Sequence, residues 1–201
     1  MGEQMSTWVV VLVKDFDSAK QRLGPALDPG QRKALARRNA TRAIRAAAAG
    51  ERRLVVAGSD EVAALALDLG AEVLVEPRQE GQNVAAQRGI GRAIEGGAGS
   101  VLLLSSDLPL VTKKSLRDLL ATAGRLAPPA VVAVPAAGRG GTNALYLHPP
   151  RAIGLHFGAD SLSAFRREAQ SKGVRFLIHR SPAMALDLDE PADLARLRRA
   201  V

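Results

Sequence analysis

Trp8-Val9-Val10-Val11-Leu12-Val13, followed at once by Lys14, is the stretch from which the fold is read. A short apolar run rich in β-branched residues favours a strand. It is far below the roughly 20 residues that a membrane-spanning helix needs. Comparable runs recur at 53–57, 72–75, 101–104, 131–134, 144–147 and 174–178, with longer segments of helical character between them. Strands alternating with helices predict an α/β fold with a mostly parallel central sheet. The helices are punctuated. Asp28 stands as an N-cap before Pro29, an Ala/Arg-rich body follows, and Gly50 closes it. Further helices are predicted over 60–69, stopped by Gly70, over 83–95 before Gly96-Gly97, from about Thr112 to Gly124, over 161–172 and over 190–200. No repeat, linker or low-complexity tract interrupts the pattern, so residues 1–201 read as one domain.

Composition narrows the function classes. The chain has 201 residues, 47% apolar and 24% charged, with no cysteine. These proportions are those of an ordinary globular protein. The missing thiols exclude disulfides, thiolate zinc sites and cysteine nucleophiles. The N-terminal Met1-Gly2-Glu3-Gln4-Met5-Ser6 has no basic cluster, and the apolar run after it is a poor secretion signal. A cytoplasmic protein without membrane attachment is expected. A net charge of +8 invites a nucleic-acid reading, but the cations are dispersed and aromatic residues make up only 3%. No nucleic-acid partner is expected.

Three groups of residues carry chemistry. Asp107 closes Val101-Leu102-Leu103-Leu104-Ser105-Ser106-Asp107, and Asp187 and Asp189 close Met184-Ala185-Leu186-Asp187-Leu188-Asp189, read here as a further extended segment ending at the sheet edge. Residues two apart in an extended chain face the same side, about 6.5–7 Å apart. Three such carboxylates suit Mg²⁺, which takes oxygen ligands and fills its octahedron with phosphate and water. Helix capping is the competing reading for Asp107 and Asp189. The second group is Lys14, Lys20 and Arg22, in the loop after the first strand. It is either a phosphate-neutralising loop at the sheet's C-terminal edge or a solvated basic loop. Gly138-Arg139-Gly140-Gly141-Thr142-Asn143 and Phe157-Gly158-Ala159-Asp160-Ser161 form the third, suited to a phosphate or carboxylate, with Asp160 or Ser161 as a plain helix cap being the alternative. The histidines, His148, His156 and His179, show no metal spacing, and Trp8 reads as packing. No Walker-type Gly-x-x-x-x-Gly-Lys-Ser/Thr occurs.

In this order the motifs resemble those of the guanylyltransferases of coenzyme F-420 biosynthesis. The resemblance covers nearly the whole chain. It rests on Val13-Lys14, Ala19-Lys20-Gln21-Arg22-Leu23, Gly81-Gln82-Asn83, Ser106-Asp107-Leu108-Pro109-Leu110, Gly140-Gly141-Thr142-Asn143-Ala144, Phe157-Gly158-Ala159-Asp160-Ser161 and Asp187-Leu188-Asp189-Glu190-Pro191. Gln82 departs from the small apolar residue expected at its position.

The resemblance implies a single-domain GT-A-like fold, Rossmann-like and related to the nucleotide-diphospho-sugar transferases. It also implies transfer of GMP from GTP to a small phosphorylated acid, phosphoenolpyruvate or 2-phospho-L-lactate, and handover of the product to a deazaflavin-precursor transferase. Asp107, Asp187 and Asp189 would bind Mg²⁺. Lys14, Lys20 and Arg22 would be catalytic and, with Asp107 and Asn83, nucleotide-binding. Asn83 would contact the guanosine, and Thr142, Gly158 and Ser161 would bind the acid. A homodimer is a possible assembly. Another nucleotidyltransferase acting on a sugar phosphate or molybdopterin, or a basic binding module without catalysis, are the alternatives.

Overall fold

The computed structural model describes residues 6–138 and 140–200; Met1–Met5 and Arg139, quoted above, lie outside them. The strands are β1 (Ser6–Val13), β2 (Arg52–Ala57), β3 (Glu72–Val75), β4 (Ala98–Ser105), β5 (Ala130–Pro135), β6 (Thr142–His148) and β7 (Arg175–Ile178). They form one sheet in the order β3-β2-β1-β4-β6-β5-β7. Neighbours pair in parallel except at β6, which runs against both β4 and β5. Each of the seven apolar runs named first from sequence overlaps a strand of this sheet.

Helices α1 (Pro29–Ala46), α2 (Asp60–Asp68), α3 (Gln82–Glu95), α4 (Lys113–Ala123) and α5 (Ser161–Ser171) sit where their caps place them. Asp28 and Gln31 close a capping box on α1, and Ser59 and Thr112 cap α2 and α4. The short α6 (Pro182–Ala185) and then α7 (Pro191–Ala200) finish the chain. No helix among the described residues is long and apolar enough to cross a membrane.

Side chains alternate across β1. Val9, Val11 and Val13 enter a core with α1, α2 and α4, while Trp8, Val10 and Leu12 enter one with α3 and α5. Val9, Val10 and Val11 are fully buried, each contributing about 1.5–3 kcal/mol of apolar burial. Gly89 brings α3 onto the sheet. A Cβ there would lie 2.6 Å from Val10 Cγ1 and 2.9 Å from Val56 Cγ2. Trp8 is buried with the Arg52 guanidinium 3.9 Å over its ring, so it packs as expected.

One sequence expectation is corrected. Residues 184–189 do not end in a strand: Met184 and Ala185 belong to α6, and 186–189 carry no ladder. Their apolar-polar alternation is real but is met elsewhere. Leu188 is fully buried in a small satellite cluster with Leu23 and Leu35, against which Leu186, Leu194 and Leu197 pack. That turns the alternate residues, Asp187 and Asp189, to the other side.

Candidate active site

The chain leaves β1 towards β2 and β3 on one side of the sheet and returns to β4 on the other, so the strand order reverses between β1 and β4. Ligands of open α/β sheets bind at such a switch point, beyond the strands' C-terminal ends. A cleft of about 710 Å³ lies there. β1 delivers Lys14 to it and β4 delivers Ser105, Ser106 and Asp107. Because β6 is antiparallel, its first residues, Thr142 and Asn143, reach the same edge, as the pairing of Pro135 with Thr142 and Leu104 with Ala144 shows. Of the residues singled out from sequence, Lys14, Lys20, Arg22, Asp107, Thr142, Gly158, Ser161, Asp187 and Asp189 all line this cleft; Asn83 does not.

The cations and carboxylates do not stay apart. Lys20 Nζ lies 2.7 Å from Asp107 Oδ1 and donates at 2.5 Å to the Leu188 carbonyl, with its side chain 2% exposed. Lys20 is therefore not a solvated phosphate-facing cation here. It ties the end of β4 to the segment carrying Asp187 and Asp189, and the Leu188 N–H donates back to the Asp107 carbonyl at 3.1 Å. The geometry is demanding enough that Lys20 adopts φ 60°, a left-handed conformation, which costs a non-glycine residue about 1–2 kcal/mol. Arg22 likewise pairs with Asp189 at 3.0 Å, at an exposed position. Lys14 is exposed and has no ion pair among the described residues. Among the described residues no three carboxylate or imidazole groups stand gathered as a metal-binding set. At α4 capping, the rival reading for Asp107, falls to Thr112, and before α7 Asp193 accepts from the Asp189 and Glu190 N–H groups at 3.1 and 2.9 Å.

Opposite lies a polar wall. Ser161 is 1% exposed and donates at 3.0 Å to the buried Thr142 hydroxyl. It is the first residue of α5 rather than its cap, and Asp160 holds the cap position without a side-chain bond. Gly158, at φ 142°, has open space where a Cβ would stand. Two roles escaped the sequence reading. Asn143 Nδ2 donates to the Met184 and Ala185 carbonyls at 2.9 and 3.1 Å, anchoring the turn that leads to Asp187. Glu76, Gln79, Gly81 and Gln82 form a further wall, organised by Arg88, which pairs with Glu76 and Glu80. The Asn143 anchor spans 41 residues and leaves no local pattern; of the further wall, Gly81 and Gln82 were quoted with their motif, while Glu76, Gln79 and Arg88 were not.

The loop before α5 is strapped down by Glu168. Burial pushes its carboxyl up, but the Lys172 ammonium, the Gly154 N–H and the His156 ring outweigh this and hold its pKa at about 2 against an ordinary 4.5. A folded value below the unfolded one gives stability that is present above pH 4.5 and lost as pH falls towards 2. Protection of the amides over 154–158, corrected for the intrinsic pH dependence of exchange, should fall as pH drops through that window, and Glu168→Gln should remove this acid dependence. Identical acid profiles for the two proteins would contradict the assignment.

A family model described as "Guanylyl transferase CofC like" matches residues 7–198. The phosphoenolpyruvate guanylyltransferase of Rubrobacter xylanophilus is 43% identical, over 96% of this chain and 94% of that protein. The 2-phospho-L-lactate guanylyltransferase of Methanothermobacter thermautotrophicus is 31% identical, over 96% of this chain and 84% of that one. A solved nucleotidyl transferase from Methanothermobacter superposes with a TM-score of 0.67 at 17% identity, covering 97% of both chains, and so shares the fold. With the cleft at the switch point and the family match spanning almost every residue, the chain belongs to the CofC-like guanylyl transferases, a family of nucleotidyltransferase enzymes.

Proposed function

We propose that this chain transfers GMP from GTP to the phosphate of phosphoenolpyruvate, as one cytoplasmic domain spanning residues 1–201. The observation that carries the reading is the convergence on one cleft of Lys14, three aspartates and the Thr142-Gly158-Ser161 wall. Phosphoenolpyruvate is preferred to 2-phospholactate because the relative named for it is the more similar, at 43% against 31% identity.

An acceptor phosphate oxygen attacks the α-phosphorus of GTP; the new O–P bond forms as the bond to the β-phosphate oxygen breaks, and pyrophosphate leaves. No general base is required, since a phosphate monoester with a second pKa of about 6 is mostly ionised at neutrality. Lys14 faces the leaving pyrophosphate, with Arg22 released to it from Asp189, and Thr142, Gly158 and Ser161 hold the acid. Asp107, Asp187 and Asp189 are hard oxygen donors lining one cleft and would hold a divalent cation such as Mg²⁺ once drawn together, with Lys20 still answering Asp107 and the exposed Arg22–Asp189 contact opened. When bound, that cation neutralises charge developing on the transferred phosphoryl group. The product, an acid joined to guanosine through a diphosphate, would pass to a deazaflavin-precursor transferase in coenzyme F-420 biosynthesis.

The test is pyrophosphate release with GTP, Mg²⁺ and each of phosphoenolpyruvate, 2-phospholactate and 3-phosphoglycerate, with and without the partner transferase. Turnover with phosphoenolpyruvate is expected. Turnover with another acid alone would replace the acceptor, and silence with all three from folded, GTP-binding protein would overturn the reading.

A further inference from the structure

We infer that Asn83 is a positioning residue for the acceptor side of the cleft and not a reader of the guanosine. The inference rests on the function proposed above and gives that site a specificity determinant.

Asn83 lies in the first turn of α3, and both polar atoms of its side chain are spent on one residue far along the chain. Its Oδ1 accepts from the Phe157 N–H at 2.8 Å, and its Nδ2 donates to the Phe157 carbonyl at 3.1 Å. This is the paired contact that a neighbouring strand would make with Phe157. Here a side chain makes it, for a loop that has no ladder. An amide at this reach is the side chain suited to it: a carboxylate can accept from the N–H but would face the carbonyl with a second negative oxygen.

The clamp acts on the residue that fixes where the acceptor wall begins. The Phe157 ring meets the fully buried Phe165 edge-on, with centroids 5.2 Å apart, and Glu168 holds Gly154 and His156 just upstream. Gly158 and Ala159, immediately downstream, line the cleft, and with no atom within 4 Å of where a Cβ would stand Gly158 offers no side-chain packing to hold the loop. Gly81 and Gln82, immediately before Asn83, line the cleft from α3. Asn83 thus spans two walls, fixing the backbone of one to the helix start of the other while its own side chain stays out of the cleft.

The experiment compares Asn83→Ala and Asn83→Asp with wild type in three readouts. Amide exchange over 155–160, with no substrate present, should accelerate in both variants. The KM for the phosphorylated acid should rise about tenfold or more, the size expected from losing two hydrogen bonds that orient a binding loop. The Kd for GTP, measured without acceptor, should stay within about twofold if no contact to the nucleotide is lost. Weakened GTP binding with an unchanged acid KM would overturn the inference in favour of a direct guanosine contact, and unchanged loop exchange would overturn the clamp itself. If wild type turns over no phosphoacid, the proposed function fails on its own, and the exchange and GTP-binding readouts still decide the clamp.

Discussion

Replacing Lys20 by methionine is expected to lower kcat/KM about 10²-fold, the cost of misplacing reacting groups by a change that does not itself touch the substrate. The reason is its placement. Its ammonium is 2.7 Å from Asp107 and 2.5 Å from the Leu188 carbonyl, so its loss frees the segment bearing Asp187 and Asp189 from β4. Methionine keeps most of the stem volume but also keeps the strained φ 60°. Lys20→Gly relieves that strain, by about 1–2 kcal/mol, and so should melt higher than a strain-retaining variant lacking the ammonium, such as Lys20→Ala, while being as inactive as Lys20→Met. Thermal unfolding and kcat/KM together check this. Full turnover by folded Lys20→Met would show that the bridge is dispensable.

Asp107→Asn should have the largest effect of all, lowering kcat/KM about 10³-fold or more if the carboxylate both ligates the divalent cation and answers Lys20. It should also raise the Mg²⁺ concentration needed for half-maximal rate. Stability should suffer too, because a lysine side chain 2% exposed loses its ionic partner. Removing one member of a buried pair costs about 3–5 kcal/mol, but the Asp107 carboxylate is 41% exposed and solvent screens it, so about 1–2 kcal/mol is expected. Titration of activity with Mg²⁺, and the thermal midpoint, separate the two losses. An unchanged Mg²⁺ requirement in an otherwise slowed enzyme would remove Asp107 from the metal site while leaving the ion pair.

Much of this architecture was legible because its causes are local. Apolar β-branched runs make the strands, and Asp28 and Thr112 mark helix starts by side chains that accept backbone N–H groups three residues on. Strand direction is not local. Nothing in 142–148 says that it runs against its neighbours, yet that reversal brings Thr142 to the edge where Asp107 stands.

The carboxylates were found, but for a partly wrong reason. Asp187 and Asp189 share a side because Leu186 and Leu188 are drawn into the Leu23–Leu35 cluster, not because a strand ends there. The surroundings of the cations were the least legible. Spacing along the loop shows that Lys14, Lys20 and Arg22 are near one another; only the fold shows that Lys20 is buried on a carbonyl 168 residues away. The Asn83 contact with Phe157 was hidden in the same way, its partner lying 74 residues on.

The most direct measurement follows the α-phosphorus. Incubating the protein with Mg²⁺, phosphoenolpyruvate and GTP labelled at the α-phosphate should move the label into a product whose mass is that of the acid plus GMP, with unlabelled pyrophosphate released in equal amount. Label remaining in GTP, or recovered as free GMP without an acid adduct, would contradict guanylyl transfer to this acceptor.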